Sequence, residues 1–372
     1  MKIKVAEPFT GKEEYRSLKK IIYSGKFVSG EKVNKFEKNF SKFLGIKYSA
    51  AFNSGTAALH SALNSLNLIK SDEVIVPAIS FMSTATAVLH NGSIPIFCDV
   101  NLDNYCMDPN DFARKITKNT KVVIPVHFAG SACNMDEIIK IAKRKKIFVI
   151  EDCAQAHGTK FNKKLVGTFG DISCFSFYAT KHMTTGEGGM LCTNNKNFER
   201  NSKIFRNHGM VNRDEHQMLG YNYRMNEISA QMGIEQLKKL NIMNNKRISN
   251  SLFILKSLKL NNKKWFEKQK INSKVFHTYF WCPLRIISKK ISLKKVKVLL
   301  KKKGIEIRSR YQKPLYKQKV IQKLNIKSSQ NYKKLYLTNA EKLSGNIFGL
   351  PNHFKLRKKQ LLYIVKTINN LQ

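Results

Sequence analysis

Short apolar runs alternate with amphipathic stretches over the first two-thirds of the chain. Glu73–Ser80 (EVIVPAIS), Ile94–Val100, Lys121–Phe128 and Ile147–Cys153 are β-branched or aromatic runs of strand length. Asp171–Phe177 and Gly188–Asn194 add two more. Between them lie segments with helical spacing. Ala58, Leu59, Ala62, Leu63 and Leu66 share one face, with Ser54 placed to cap the helix start. Phe81–His90, Asn110–Ile116 and Met135–Lys145 also read as helices. Continuous apolar strands separated by amphipathic helices predict an α/β fold with a mainly parallel sheet buried on both faces.

The pattern changes near residue 237. A long helical stretch, IEQLKKLNIMNNKRISNSLFILKSL, leads into a strand-like VFHTYFWCPLRI and a helix-then-strand SLKKVKVLLKKKGIEIRSRY. This predicts a large domain over residues 1–240 and a smaller α+β domain over 241–372, with the long helix crossing the boundary. Repeats and Pro/Gly/Ser-rich linkers are absent from the sequence.

Composition narrows the function classes. No apolar run reaches the ~18 residues of a membrane span, and MKIKVAEPFTGKEEY has no apolar leader, so we expect neither membrane insertion nor a signal peptide. The seven cysteines are scattered with no C-x-x-C pair, which points to reduced thiols in a cytoplasm and to no bound metal. The formal charge of +42 is uneven: residues 1–236 hold 32 Lys/Arg against 22 Asp/Glu, and residues 237–372 hold 35 against 3. The lysines are spread over many elements without interleaved aromatics or a nucleic-acid motif. They read as solvated faces, so no nucleic-acid partner is expected.

Open α/β sheets bind ligands beyond the carboxyl ends of their strands. Collecting those ends gives Asp152, Ser176 with Lys181, Phe81, and the helix start Ser54-Gly55-Thr56. Taken singly, Asp152 reads as a helix cap, Phe81 as core and Lys181 as surface. Together they meet the needs of pyridoxal 5'-phosphate. That cofactor takes a lysine for a Schiff base with its aldehyde and a carboxylate to keep its pyridine nitrogen protonated. It also takes free N–H groups at a helix start for its phosphate, and a flat partner for its ring.

NSGTAALHSAL, DEVIVPAISFMSTATAV, VIEDCAQAHG, FGDISCFSFYATKHMTTGEGGM, RNHG and GYNYRMNEISA resemble the DegT/DnrJ/EryC1/StrS family of sugar aminotransferases. The likeness runs in order from Pro8 to Leu240, with weaker echoes in GIEIRSRYQKPLY and AEKLSGNIFGLP. It implies a fold type I transferase: a large domain with a seven-stranded sheet, a small C-terminal domain, and a homodimer whose active sites are shared between subunits. It further implies that Lys181 joins the cofactor, Asp152 holds the pyridine nitrogen and Phe81 lies against the ring. Gln155 would touch the cofactor near its hydroxyl or ring face. Gly55, Thr56 and Ser176 would bind phosphate, with Ser54 at the same helix start, and Asn226 would reach the phosphate from the other subunit. Without the resemblance, Asn226 reads as a turn or helix-cap residue.

His157, His182 and His208 receive no role. Tyr316 departs from the resemblance, since many relatives carry histidine there. The implied reaction transfers an amino group from L-glutamate to a nucleotide-linked keto sugar, with FYATKHMTTGEGG most similar to enzymes that aminate C4 of a 4-keto-6-deoxyhexose for surface polysaccharide. Two rivals are a keto-cyclitol acceptor and a non-catalytic regulator or nucleic-acid binder.

Overall fold

The computed structural model describes residues 1–259, 265–324, 326 and 328–371. Two helices, α1 (Lys12–Ser24) and α2 (Glu31–Leu44), precede β1 (Tyr48–Phe52) and α3 (Gly55–Asn64). There follow β2 (Glu73–Pro77), α4 (Ser83–His90), β3 (Ile94–Cys98), α5 (Pro109–Lys115), β4 (Thr120–Val123), α6 (Met135–Lys145) and β5 (Phe148–Asp152). A small hairpin, β6 (Lys160–Phe161) and β7 (Lys164–Leu165), leads to β8 (Ile172–Ser176) and β9 (Gly189–Thr193). Then come α7 (Lys196–Phe205) and the long helix α8 (Glu227–Ser257).

The main sheet has seven strands in the order β1-β9-β8-β5-β4-β2-β3. Only β9 runs against its neighbours β1 and β8; the other pairs are parallel. The expected α/β architecture is therefore present, with one reversed strand. Strands β2 and β3 are buried at every position, which is why they read as unbroken apolar runs. Strand β1 (YSAAF) is short and small-residued, and its own pattern does not announce it; pairing with β9 makes it a strand.

The chain after α8 builds a second core. β10 (Phe266–Lys268), β12 (Cys282–Ile286) and β13 (Ile347–Leu350) form an antiparallel sheet, while β11 (Val275–Phe276) pairs with β6. Helix α9 (Leu293–Lys302) contributes Val296 and Leu300 to this core, which also takes Ile254 of α8 and Ile3 of the N-terminus. Segments around Tyr316, Tyr332 and Leu343 belong instead to the larger core.

Three elements differ from the pattern reading. The helix expected from Phe81 starts at Ser83, which leaves Phe81 in the loop after β2. The run VFHTYFWCPLRI is broken into β11 and β12, because Tyr279 turns with φ 47° and Phe280 and Trp281 pack into the larger core. Where the pattern predicts a strand directly after α9, the segment GIEIRSRY makes only isolated bridges, Ile305 to Ile3 and Arg308 to Gly349.

One buried carboxylate anchors the layer under β5. Glu151 accepts from the N–H groups of Gly167 (2.7 Å), Phe169 (2.7 Å) and Gly170 (2.8 Å), and faces His127 Nε2 at 3.0 Å. Burial alone would raise its pKa, yet His127 and these N–H donors hold it below the usual carboxylate value. Cys153 lies beside this pair, but the carboxylate is already saturated by protein donors. Replacing Glu151 by Gln leaves buried N–H groups facing an amide NH2. We expect Glu151→Gln to lower stability by about 2–4 kcal/mol, read as a lower urea midpoint at an unchanged m-value.

Candidate active site

The carboxyl ends of β1, β2, β5 and β8 open into one cavity of about 370 Å³. Ser54, Gly55, Thr56, Phe81, Asp152, Gln155, Ser176 and Lys181 all line it. Eight of the nine residues singled out in the sequence therefore meet in one place.

Its floor is the start of α3. Ser54 Oγ accepts from Ala57 N (3.1 Å) and Ser54 O accepts from Ala58 N (3.1 Å), which fixes the first turn. The N–H groups of Gly55 and Thr56 come before these bonds at the helix start, and both residues line the cavity, as an anion site requires. Gly55 is forced by close approach: a Cβ there would lie 2.8 Å from Ser176 Cβ. The same contact sets the Ser176 hydroxyl beside the helix start.

Asp152 ends β5 and is 4% exposed. Its Oδ2 accepts from Thr84 Oγ1 (3.0 Å), itself 2.8 Å from Ser80 Oγ, and its Oδ1 accepts from Ala154 N (3.1 Å). Burial raises its pKa, against the pull of the Ala154 N–H, the Lys181 charge and the Thr84 hydroxyl. Gln155 is buried and fixed at both ends of its amide. Oε1 accepts from Ala129 N (3.1 Å) and Trp281 Nε1 (3.4 Å), and Nε2 donates to Tyr311 OH (3.2 Å).

Lys181 sits on a loop whose small residues have identifiable jobs. Phe177 O accepts from Thr185 N (2.9 Å) and Thr184 Oγ1 (3.1 Å), folding the loop back on β8. Gly186 turns with φ 80°, and a Cβ on Gly188 would lie 2.3 Å from Thr185 Oγ1. The lysine amine faces inward, 5.0 Å from the centre of the Phe280 ring. Burial lowers its pKa to about 8; Asp152 opposes this, while Arg308 and Arg310 add to it.

Phe81 is 53% exposed at the cavity edge, an aromatic face with little protein against it. Asn226 lies outside the cavity lining. It is exposed, and its Oδ1 accepts from Ser229 N (2.8 Å) as the cap of α8. His182 and His157 are buried behind the cavity with ring centres 5.3 Å apart, and His182 also packs on Phe280 (5.4 Å). His208 is exposed on a turn with φ 58°. Tyr316 is buried away from the cavity, its hydroxyl donating to Glu341 Oε1 at 2.5 Å.

The chain after α8 supplies wall residues that local pattern does not mark: Phe280, Arg308, Arg310 and Tyr311. Arg308 Cζ lies 4.8 Å from the Phe280 ring, and its Nε has no protein partner. None of the salt bridges among the described residues involves Lys181, Arg308 or Arg310. The only visible signal for the arginines was the echo GIEIRSRYQKPLY, and nothing in it says which side chains turn inward.

These residues fit pyridoxal phosphate. The donor set at Gly55, Thr56 and Ser176 suits a phosphate, Asp152 is a fixed buried carboxylate, Lys181 is an inward amine, and Phe81 offers a bare ring face.

The comparisons with known proteins agree. The chain is 36% identical over 346 residues to GDP-perosamine synthase of Escherichia coli O157:H7, covering 91% of this chain and 90% of that one. Its fold matches PseC of Helicobacter pylori, an aminotransferase involved in pseudoaminic acid biosynthesis. The TM-score is 0.92 and the identity 28%, over 99% and 98% of the two chains. It also matches NtdA of Bacillus subtilis, solved with bound PMP, at TM-score 0.87 and 28% identity over 96% and 80%. The DegT/DnrJ/EryC1/StrS aminotransferase family matches residues 8–369, and the chain belongs to that family of pyridoxal-phosphate enzymes.

Proposed function

We propose that this enzyme transfers an amino group from L-glutamate to a nucleotide-linked keto sugar, at C4 of a 4-keto-6-deoxyhexose destined for surface polysaccharide. The observation that carries the site is the inward Lys181 amine sharing one cavity with Asp152 and the N-terminus of α3. The likeness to a GDP-perosamine synthase over nearly the whole chain supports the sugar.

When bound, pyridoxal phosphate supplies an electron sink for charge left on a substrate carbon. The protein's share is positional and electrostatic. Gly55 N–H, Thr56 N–H and the Ser176 hydroxyl would hold the phosphate, and Phe81 would lie against the ring. Asp152, held by Thr84 and Ala154, would keep the pyridine nitrogen protonated. Lys181 Nζ, with its pKa lowered to about 8, would accept a proton from the substrate carbon at one stage and return one at another. Arg308 and Arg310 carry uncompensated charge at the cavity wall and suit the carboxylates of glutamate.

The same reading makes the enzyme a homodimer. Phe27 and Val28 are exposed and are tied to the start of α8 by Glu227 N donating to Phe27 O (3.0 Å), so an apolar patch abuts Asn226. We place Asn226 on the phosphate of the partner subunit. No described helix is long and apolar enough to cross a membrane. All seven cysteines are unpaired, which suits the reducing cytoplasm we assign to the enzyme.

Lys181→Ala is expected to stay folded, fail to become yellow with pyridoxal phosphate, and lose more than about a thousandfold in turnover. Activity is read by incubating nucleotide keto sugars with glutamate and following product mass, then NMR for the carbon aminated. Product from a keto-cyclitol alone would favour the rival acceptor.

The lowered pKa of Lys181 means its neutral amine is populated at lower pH than in surface lysines. In cofactor-free protein, labelling of Lys181 by an amine reagent should be half-maximal near pH 8, read by peptide mass spectrometry. Arg308→Gln removes a nearby positive charge, so the Lys181 midpoint should rise. If Arg308 holds donor carboxylate, the same variant should raise KM for glutamate by about tenfold or more and leave KM for the sugar little changed.

A further inference from the structure

A stripe of polar residues runs along the buried face of α8, where a core helix ordinarily presents Leu or Ile. Asn244, Arg247, Asn250 and Ser251 are all 5% exposed or less. Each grips the backbone or side chain of another segment. Asn244 Nδ2 donates to His157 O (2.8 Å), in the segment that follows Asp152 and Gln155. Asn250 Nδ2 donates to His353 O (3.1 Å). Ser251 Oγ accepts from Asn352 Nδ2 (2.9 Å).

Arg247 is the centre of this stripe. One terminal nitrogen donates to Asn352 O (3.0 Å) and the other to Lys181 O (3.1 Å). No carboxylate pairs with it among the described salt bridges. A buried guanidinium without a counter-charge is costly to the fold. Its planar fork, however, can hold two carbonyls from different segments at fixed spacing, which an ammonium cannot do.

The contacts converge on the lysine from two sides. Arg247 holds the Lys181 carbonyl directly. Through Asn352 it also reaches Tyr279, whose carbonyl accepts from Asn352 Nδ2 (2.6 Å). Tyr279 precedes Phe280, the ring that the Lys181 amine faces. Asn244 meanwhile fixes the chain just beyond Asp152.

We propose that Arg247 is a positioning residue for Lys181: its guanidinium locks the lysine's backbone to α8 and to the chain after β13, setting the reach of the amine into the cavity. This rests on Lys181 being the residue that joins the cofactor. It goes beyond that assignment by naming what holds the lysine in register with Asp152.

The test uses full-length Arg247→Lys and Arg247→Met, each loaded with pyridoxal phosphate. Arg247→Lys keeps a cation and is expected to fold, with a native circular dichroism spectrum. Its kcat should fall about tenfold or more while KM for both substrates stays within about threefold, because a small misplacement of a reacting group costs rate rather than binding. Arg247→Met should lose up to about a hundredfold. The readout independent of turnover is borohydride trapping. The fraction of cofactor fixed to the Lys181 peptide at a set time should fall in the order wild type, Lys variant, Met variant. Wild-type kcat and trapping in Arg247→Lys overturn the proposal. So does a raised KM at unchanged kcat, which would make Arg247 a substrate contact. If wild-type protein traps cofactor on a residue other than Lys181, the site assignment itself falls, and this inference with it.

Discussion

The structure turns on placing an amine and a carboxylate in the same cavity without letting them neutralise each other's use. Lys181 and Asp152 do not form a salt bridge, yet each charge influences the other: Asp152 pulls the lysine's pKa up and Lys181 pulls the aspartate's down. Burial works against both charges. Arg308 and Arg310, from the segment after α9, tilt the balance further toward a neutral lysine. Separation at this range requires that the ends of β5 and β8, which are hydrogen-bonded neighbours, be held rigidly. Glu151 of β5, held by His127 and the Gly167–Gly170 backbone, and the polar stripe of α8 behind the lysine loop both serve that requirement.

The same need explains why so much buried polarity lies near this cavity. Asn244, Arg247, Asn250 and Asn352 occupy positions where apolar side chains would pack at lower cost. They hold backbone carbonyls of segments that carry no regular hydrogen bonding of their own. The loop Thr180–Gly188 between β8 and β9 lies outside the sheet ladder, so it is positioned largely by side chains from α8 and by its own threonines. Rigidity at the cavity is thus supplied from a helix that also belongs to the second core.

Most of this was legible in the sequence where the local signal and the chemistry coincide. Strands β2 to β5, β8 and β9 announce themselves because burial on both faces produces continuous apolar runs. Ser54, Gly55 and Thr56 were legible because a capped helix start has a short signature. Other features were not. Strand β1 is too small-residued to stand out, and the Tyr279 turn breaks what looks like one long strand. Arg308, Arg310 and Tyr311 come to the cavity from a segment after α9 that makes only an isolated bridge to Gly349, so no periodic pattern marks which side chains turn inward. Arg247 looks like one more basic residue on a lysine-rich helix, and only its two carbonyl partners separate it from its neighbours.

That contrast also bears on the basic C-terminal half. Lys294, Lys295, Lys297, Lys301 and Lys302 of α9 are exposed, as are Lys358 and Lys359 of the last helix. In water such charges are screened over about 10 Å and contribute little to a distant site. Lys181, Arg247 and Arg308 are set in low dielectric, where a single charge shifts the ionisation of its neighbours. Burial, and not number, therefore selects which cations act. A net charge of +42 is compatible with an active site whose electrostatics are governed by a few of those residues, Lys181, Arg247 and Arg308 among them.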